Sequence, residues 1–343
     1  MKRVNRRRFL LLFLGVLCMC GLTGCGGQVK EETKQVKNEI QIGFSFDSLV
    51  IERWQRDRDV FVSQAQEAGS KVNVQNAGGD VETQKKQIMY FIEQKMDAIV
   101  VVAVDTAALS DVVKKAKESG IRVVAYDRML ENAGVDLCVS FDSEKVGNLY
   151  AKAIRKKFPK GAKLLEIMGS SEDYNVKLLE KGLSAGLRKS DTVVKKAYAK
   201  GWIAEHAYQT VSDFYEKGGE CDAIICGNDD LAAQAILALS ENRKAGKVYV
   251  LGQDGDLSAC QRIVEGTQGG TVFKNVDELA KEAATMCVKL AKGEEISGIT
   301  KHFDGTNQVD SYFLTPVFVD KKNLNQIIID GGFHTKEEVY INE

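Results

Sequence analysis

Beyond its first forty residues the chain alternates short apolar runs with amphipathic stretches of helical period, the pattern of βαβ units on a parallel sheet. Strands are predicted at "IQIGFSF", "KVNVQ", "AIVVVAV" and "RVVAYD", with helices between them near 53–68, 81–94 and 107–119. "DLCVSF" adds a strand, and the helix "SEKVGNLYAKAIRKKF" after it stops before Pro159 and Gly161. A second series repeats the order: "KLLEIMG", helix 176–189, "VVKKAYA", helix 204–217, "AIICG", helix 231–240, "VYVLGQD" and "GGTVFKN". A helix over 277–292 and the segment "DSYFLTPVFVD" finish the body. The repetition predicts two similar doubly wound α/β lobes.

The N-terminal end breaks this pattern. "MKRVNRRR" is basic, "FLLLFLGVLCMCGL" is apolar over signal-peptide length, and "LTGC" ends at Cys25 in the manner of a lipobox. The reading is a lipoprotein export signal over 1–24, with Cys25 as the lipidation site. An ordinary export peptide or a retained short anchor are the alternatives, and "NRRRFL" is only loosely like a twin-arginine signal. Residues 25–39 carry the lipidated cysteine and a polar, charged run without apolar periodicity, as a solvated tether would. About 300 residues remain, enough for two domains. No second apolar run has membrane-spanning length.

Basic and acidic residues number 47 and 48 and are interleaved, which gives no reason to expect a nucleic-acid partner. Of the eight cysteines, Cys138, Cys221, Cys226, Cys260 and Cys287 fall in the body. They form no CxxC pair and read mainly as small buried hydrophobes, with a Cys221 to Cys226 disulfide left open. The three histidines, His206, His302 and His334, are far apart, and neither GxGxxG nor GxxxxGK[ST] occurs. An enzyme on a dinucleotide or metal site is therefore disfavoured, and no cofactor is expected. The export signal and the lack of a DNA-reading headpiece exclude a repressor.

Open parallel sheets bind ligands beyond the carboxyl ends of their strands. Those ends read "FDSLVIERWQ", "AVDTAA", "AYDRML", "SFDSEK", "MGSSEDYN", "AKGWIAEH", "CGNDDLAA", "LGQDGD" and "VFKNVDE". They are rich in Asp, Asn, Arg, Lys and Trp, the side chains that engage pairs of sugar hydroxyls and pack the C–H faces of a ring. The only two tryptophans, Trp54 and Trp202, fall just after strands, one in each half. Each candidate has a plainer reading. Trp54 heads a helix whose core stripe continues to Phe61 and Ala65; Asn228 suits a helix N-cap; Asp254 suits a turn; Asp127 and Arg128 suit a structural ion pair; Lys274 suits an exposed strand end.

The motifs "ERWQRDRDVF", "ETQKKQI", "VVAYDRML", "SFDSEKVG", "GNDDLAA", "GQDGDL" and "GTQGGTVFKN", spread over about 40–291, resemble the D-xylose-binding proteins of ATP-driven pentose importers. The resemblance implies the type I periplasmic-binding-protein fold, two Rossmann-like lobes joined by a three-stranded hinge. It implies crossovers near 141–144, 273–275 and 300–303, hence one lobe of 40–142 with 275–301 and another of 143–274 with 302–343. It also implies a sugar site of Arg53, Trp54, Asp127, Arg128, Asp173, Asn175, Trp202, Asn228, Asp254 and Lys274. The loop "GSSEDYN" departs from the family in length and lacks a proline often found there, which weakens Asp173 more than Asn175. With Arg53 and Trp54 turned to the sugar, Arg56, Asp57, Arg58 and Asp59 are expected to meet solvent or one another.

The implied function is capture of a monosaccharide, D-xylose first, by hinge closure, and delivery to an ABC permease with its ATPase. The protein is then an extracytoplasmic, lipid-anchored monomer with no catalytic residue and no nucleic-acid partner. A sensor that signals to a membrane histidine kinase, or a binder of another pentose or hexose, is the alternative.

Overall fold

A computed structural model describes residues 39–49 and 53–341. Cys25 and the export signal lie outside the described residues. The first sheet is built from β1 (Ile40–Phe46), β2 (Ser70–Asn76), β3 (Ala98–Val101), β4 (Arg122–Tyr126) and β5 (Leu137–Phe141). Helices α1 (Arg53–Glu67), α2 (Val81–Glu93) and α3 (Ser110–Glu118) connect them. β3 and β5 are buried at every residue and apolar almost throughout, as central parallel strands covered on both faces must be. On one face Phe44, Phe61 and Tyr126 interlock, with Phe44 4.7 Å from Phe61 and 5.6 Å from Tyr126.

After α4 (Ser143–Lys157) a second sheet forms from β6 (Lys163–Met168), β7 (Thr192–Tyr198), β8 (Ala223–Cys226), β9 (Tyr249–Asp254) and β10 (Gly270–Phe273). Its helices are α5 (Tyr174–Gly186), α6 (Glu205–Glu216), α7 (Asp229–Glu241) and α8 (Leu257–Glu265). Helices α4 and α5 approach closely because a Cβ on Gly147 would lie 2.0 Å from the Leu179 carbonyl and one on Gly182 1.9 Å from the Glu144 carbonyl. The chain then returns to the first lobe with α9 (Val276–Lys292), which packs against α1, followed by β11 (Thr300–Phe303) and β12 (Gln308–Leu314).

The strand orders are β11-β12-β5-β4-β3-β1-β2 in the first sheet; in the second, β13 (Val317–Val319) leads the order β13-β10-β9-β8-β6-β7. Only β11 and β13 run antiparallel to their neighbours. This corrects the expected third crossover. β12 pairs parallel with β5, Ser311 opposite Cys138, and β11 pairs with β12, so 302–314 belong to the first lobe. The chain crosses for the third time at Thr315 and Pro316, where proline has no N–H to place in a ladder. The other two crossings are Asp142 and Asn275, each capping the helix after it: Asp142 accepts from the Lys145 amide at 2.9 Å and Asn275 from the Glu278 amide at 3.3 Å. All five body cysteines are free thiols, Cys221 and Cys226 among them.

Candidate functional site

The carboxyl ends of the two sheets face each other, and the charged residues at those ends join across the gap. Helix α1 starts the network. Its buried stripe runs Arg53, Asp57, Phe61, Ala65 at steps of four, charged at the cleft and apolar in the core. Arg53 lies 2.8 Å from Asp127 Oδ2 in its own lobe and 3.6 Å from Asp254 Oδ1 in the other. Its Nε and Nη2 also donate to Asp57 at 3.1 and 3.2 Å. Arg128 donates to Asp47 at 2.6 Å and to the Ala103 carbonyl at 2.7 Å, and lies 2.7 Å from Asp173 across the gap. Asp127 and Arg128 thus find other partners and form no pair with each other.

The second lobe answers with helix termini. Asp173 caps α5, accepting from the Asn175 amide at 2.8 Å, while its other oxygen takes Arg128 and the Trp202 indole N–H at 3.1 Å. Asn175 donates across the gap to Asp127 Oδ1 at 2.8 Å. Asn228 caps α7 with its Oδ1, as the plainer reading had it, yet its buried Nδ2 has no partner among the described residues. Lys274 lies 3.0 Å from Asp254 and is 6% exposed, so it is no exposed strand-end charge. The Trp202 ring lies on Gly169 and Gly227, at the ends of β6 and β8, where a Cβ would stand 2.3 and 3.2 Å from it. At the rim Lys177 pairs with Glu131 at 2.9 Å, and Thr106 donates to the Glu172 carbonyl at 3.2 Å.

Three of these residues, Asp127 (φ 63°), Trp202 (φ 61°) and Asp254 (φ 108°), sit in backbone conformations that disfavour a side chain. Such positions persist only where the surroundings over-determine them, and they concentrate at binding sites. Trp54 is 2% exposed and stands between the core and the charged cleft. It meets Phe46 edge-on at 6.3 Å in the core, while the Arg53 and Arg128 guanidinium groups lie over its ring at 4.4 and 5.4 Å. Its Nε1–H is buried with no partner among the described residues. Asp127 Oδ2 and Asp254 Oδ1 have cations at ion-pair distance but no aligned donor.

Burial pulls Arg53 toward neutrality, but Asp127, Asp57 and Asp254 outweigh it and hold the guanidinium charged. Burial likewise lifts Asp127, and Arg53, Lys274 and Arg128 more than reverse this, leaving it below the usual carboxylate range. Asp47 and Asp57 stay above that range because burial wins over their arginine partners.

Two expectations for α1 fail. Asp57 is fully buried, held by Arg53 and the Tyr126 hydroxyl, and Arg56, about a third exposed, bonds Asp277 of α9 rather than its neighbours on α1. Only Arg58 and Asp59 pair with each other, at 2.7 Å. The sequence reading also passed over Asp47 and Asp229. Asp47 ends β1 as Asp127 ends β4, and the strand-end rule that found one applies equally to the other. Asp229 is buried beneath the Asp254 turn, accepting from the amides of Gly255 and Asp256 at 2.9 and 3.2 Å, from Gln268 at 2.8 Å and from Thr271 at 2.8 Å. The first Asp of "GNDD" was its only local sign.

The pattern of the periplasmic binding protein domain matches residues 42–295. The chain is 42% identical over 311 residues to the D-xylose-binding periplasmic protein of Haemophilus influenzae, covering 88% of this chain and 92% of that protein. It is 39% identical to the D-xylose-binding periplasmic protein of Escherichia coli, covering 93% and 98%. Among solved structures, an ABC transporter solute binding protein from Clostridium phytofermentans with bound β-D-glucose superposes with a TM-score of 0.77 at 28% identity, covering 87% of this chain and 99% of that one. The chain belongs to the periplasmic binding protein family, with its type I fold, a family of solute-binding proteins rather than enzymes.

Proposed function

We propose that this protein captures a monosaccharide, D-xylose first, between its lobes and presents the closed form to an ABC permease. The observation that carries this reading is the mixture of polar atoms with spare capacity in one gap: two donors, Trp54 Nε1 and Asn228 Nδ2, with no partner among the described residues, and two acceptors, Asp127 Oδ2 and Asp254 Oδ1, met only by ion pairs. A hydroxyl both donates and accepts, so a ring carrying several of them suits both kinds at once. The charge balance favours an uncharged ligand: three cations, Arg53, Arg128 and Lys274, stand among five carboxylates, those of Asp47, Asp57, Asp127, Asp173 and Asp254. An anionic sugar acid entering there would meet more like charge than unlike. Arg53, Trp54, Asp127 and Arg128 act from the first lobe; Asp173, Asn175, Trp202, Asn228, Asp254 and Lys274 act from the second. D-Xylose is preferred because the relatives at about 40% identity carry that name.

Calorimetry of the body with xylose, ribose, arabinose, glucose, galactose and xylonate tests the reading. Tightest binding of D-xylose at one site per chain is expected; binding of none of the neutral sugars, or preference for xylonate, overturns it. The tether and Cys25 further suggest a lipid anchor outside the cytoplasm. Labelling with radioactive palmitate in the native host, lost in Cys25→Ala, is the expected result.

A further inference from the structure

Sugar capture as proposed gives no purpose to Arg56 of α1. Arg56 lies one turn beyond Arg53 on a neighbouring face, outside the cleft. Its Nε and Nη2 donate to the two carboxylate oxygens of Asp277, both at 2.6 Å, in the first turn of α9. The same Nη2 donates to the Phe333 carbonyl at 3.1 Å, and the guanidinium lies 3.9 Å over the Phe333 ring. Helices α1 and α9 pack on each other in the first lobe. Phe333 belongs to the second: its ring meets Phe273 of β10 at 4.7 Å, in the C-terminal segment that packs along α8. The next residue, His334, places Nε2 2.9 Å from the carbonyl of Gly255, which directly follows Asp254.

We infer that Arg56 is an interlobe clasp: fixed to its own lobe by Asp277, it grips the C-terminal segment of the other and so favours the closed form. The grip falls where that segment is tied to the turn carrying Asp254, which links the back of the molecule to the pocket. The guanidinium uses two properties at once, a planar fork for the carboxylate and carbonyl and an open face for the ring. An ammonium group offers neither, so lysine here is no conservative change. Arg56 touches no pocket residue among its described contacts and is a positioning residue.

The clasp rests on the sugar-capture reading, and two measurements keep the two apart. Arg56→Ala, Arg56→Lys and Phe333→Ala are compared with the unaltered body for sugar dissociation rate by stopped-flow tryptophan fluorescence, and for ligand-free radius of gyration by small-angle X-ray scattering. Because a closed-state contact acts chiefly on escape, Arg56→Ala is expected to release sugar about tenfold faster with association little changed. Arg56→Lys should recover little of this, and Phe333→Ala should fall between. A lowered melting temperature with an unchanged dissociation rate makes the contact merely structural and overturns the clasp. If no neutral sugar binds the unaltered protein, the capture reading fails by itself. The radius then decides: a larger value in Arg56→Ala supports the clasp, and an equal one overturns it.

Discussion

Arg128→Ala tests whether closure depends on charge pairs that form only across the gap. The guanidinium serves Asp47 and the Ala103 carbonyl in its own lobe and Asp173 in the other, and its loss strands two carboxylates that are 7% and 6% exposed. The two losses differ in kind. Asp47 is already lifted by burial, with Arg128 its main counterweight. It takes up a proton when that counterweight goes, a cost shared by open and closed forms. Asp173 returns to water when the lobes part but is buried when they close, keeping only the Trp202 N–H at 3.1 Å and the Asn175 amide at 2.8 Å. Removing one partner of a buried, hydrogen-bonded charge pair costs about 2–5 kcal/mol. The two donors left to Asp173 place this case near the lower end, about 2–3 kcal/mol. That cost falls on the closed form, so the dissociation constant for D-xylose should rise about 30- to 150-fold by calorimetry. Arg128→Lys should recover only part, since one ammonium cannot hold both carboxylates with a planar fork. A folded Arg128→Ala protein within about threefold of wild-type affinity refutes the reasoning.

Gly169→Ala places a methyl group 2.3 Å from the Trp202 ring, and should weaken sugar binding at least about tenfold in protein that still folds; unchanged affinity removes Trp202 from the site. Gly182→Ala drives a methyl group to 1.9 Å from the Glu144 carbonyl and should destabilise the second lobe by about 1–3 kcal/mol or more in urea unfolding; a stability equal to wild type contradicts the close α4–α5 crossing. Asp229 is lifted by burial, with Asp254 adding to the effect, to about 7. The folded form therefore keeps a proton that an unfolded aspartate, with its pKa of about 3.9, releases, and this stabilisation is full at low pH and lost as pH rises through about 7. Asp229→Asn should flatten that part of the fall in melting temperature between about pH 4 and 7, whereas parallel curves for the two proteins count against the assignment.

The alternation of strands and helices was legible because buried parallel strands such as "AIVV" and amphipathic helices such as α9 write their burial directly into local pattern. Boundaries slipped where a cap decides them. α5 starts at Tyr174, set by Asp173, and Asp105 accepts from the Ala107 and Ala108 amides in a turn that delays α3 to Ser110. Helix α8 was overlooked although Ala259, Cys260, Ile263 and Val264 form a buried helical stripe. The third crossover depends on which strand β12 joins, a choice made by pairing with β5 far earlier in the chain. The fates of Asp57 and Arg56 were equally remote: Tyr126 is 69 residues from Asp57 and Asp277 is 221 from Arg56. Nor does composition disclose that Asp127, Trp202 and Asp254 adopt positive φ, since none is glycine.

These buried charges bear on why closure should depend on ligand. Ion pairs taken out of water contribute little net stability, because desolvation offsets most of the attraction, but they fix geometry. The bonds from Arg53, Arg128 and Asn175 across the gap therefore define one closed arrangement without making it strongly preferred. Against it stand two buried donors, Trp54 Nε1 and Asn228 Nδ2, with no partner among the described residues. Each unsatisfied buried polar group costs about 1–3 kcal/mol, so the two penalise closure by about 2–6 kcal/mol when no ligand is present. On the proposed reading, ring hydroxyls accepting from these donors and donating to Asp127 and Asp254 would remove the penalty. A ligand shifts a two-state equilibrium only by its differential affinity for the two states, and here that difference comes from polar groups the protein itself leaves unsatisfied. It follows that a deoxy sugar lacking one of the engaged hydroxyls should close the lobes less completely as well as bind more weakly, whereas a purely apolar filler of the same volume should not close them at all.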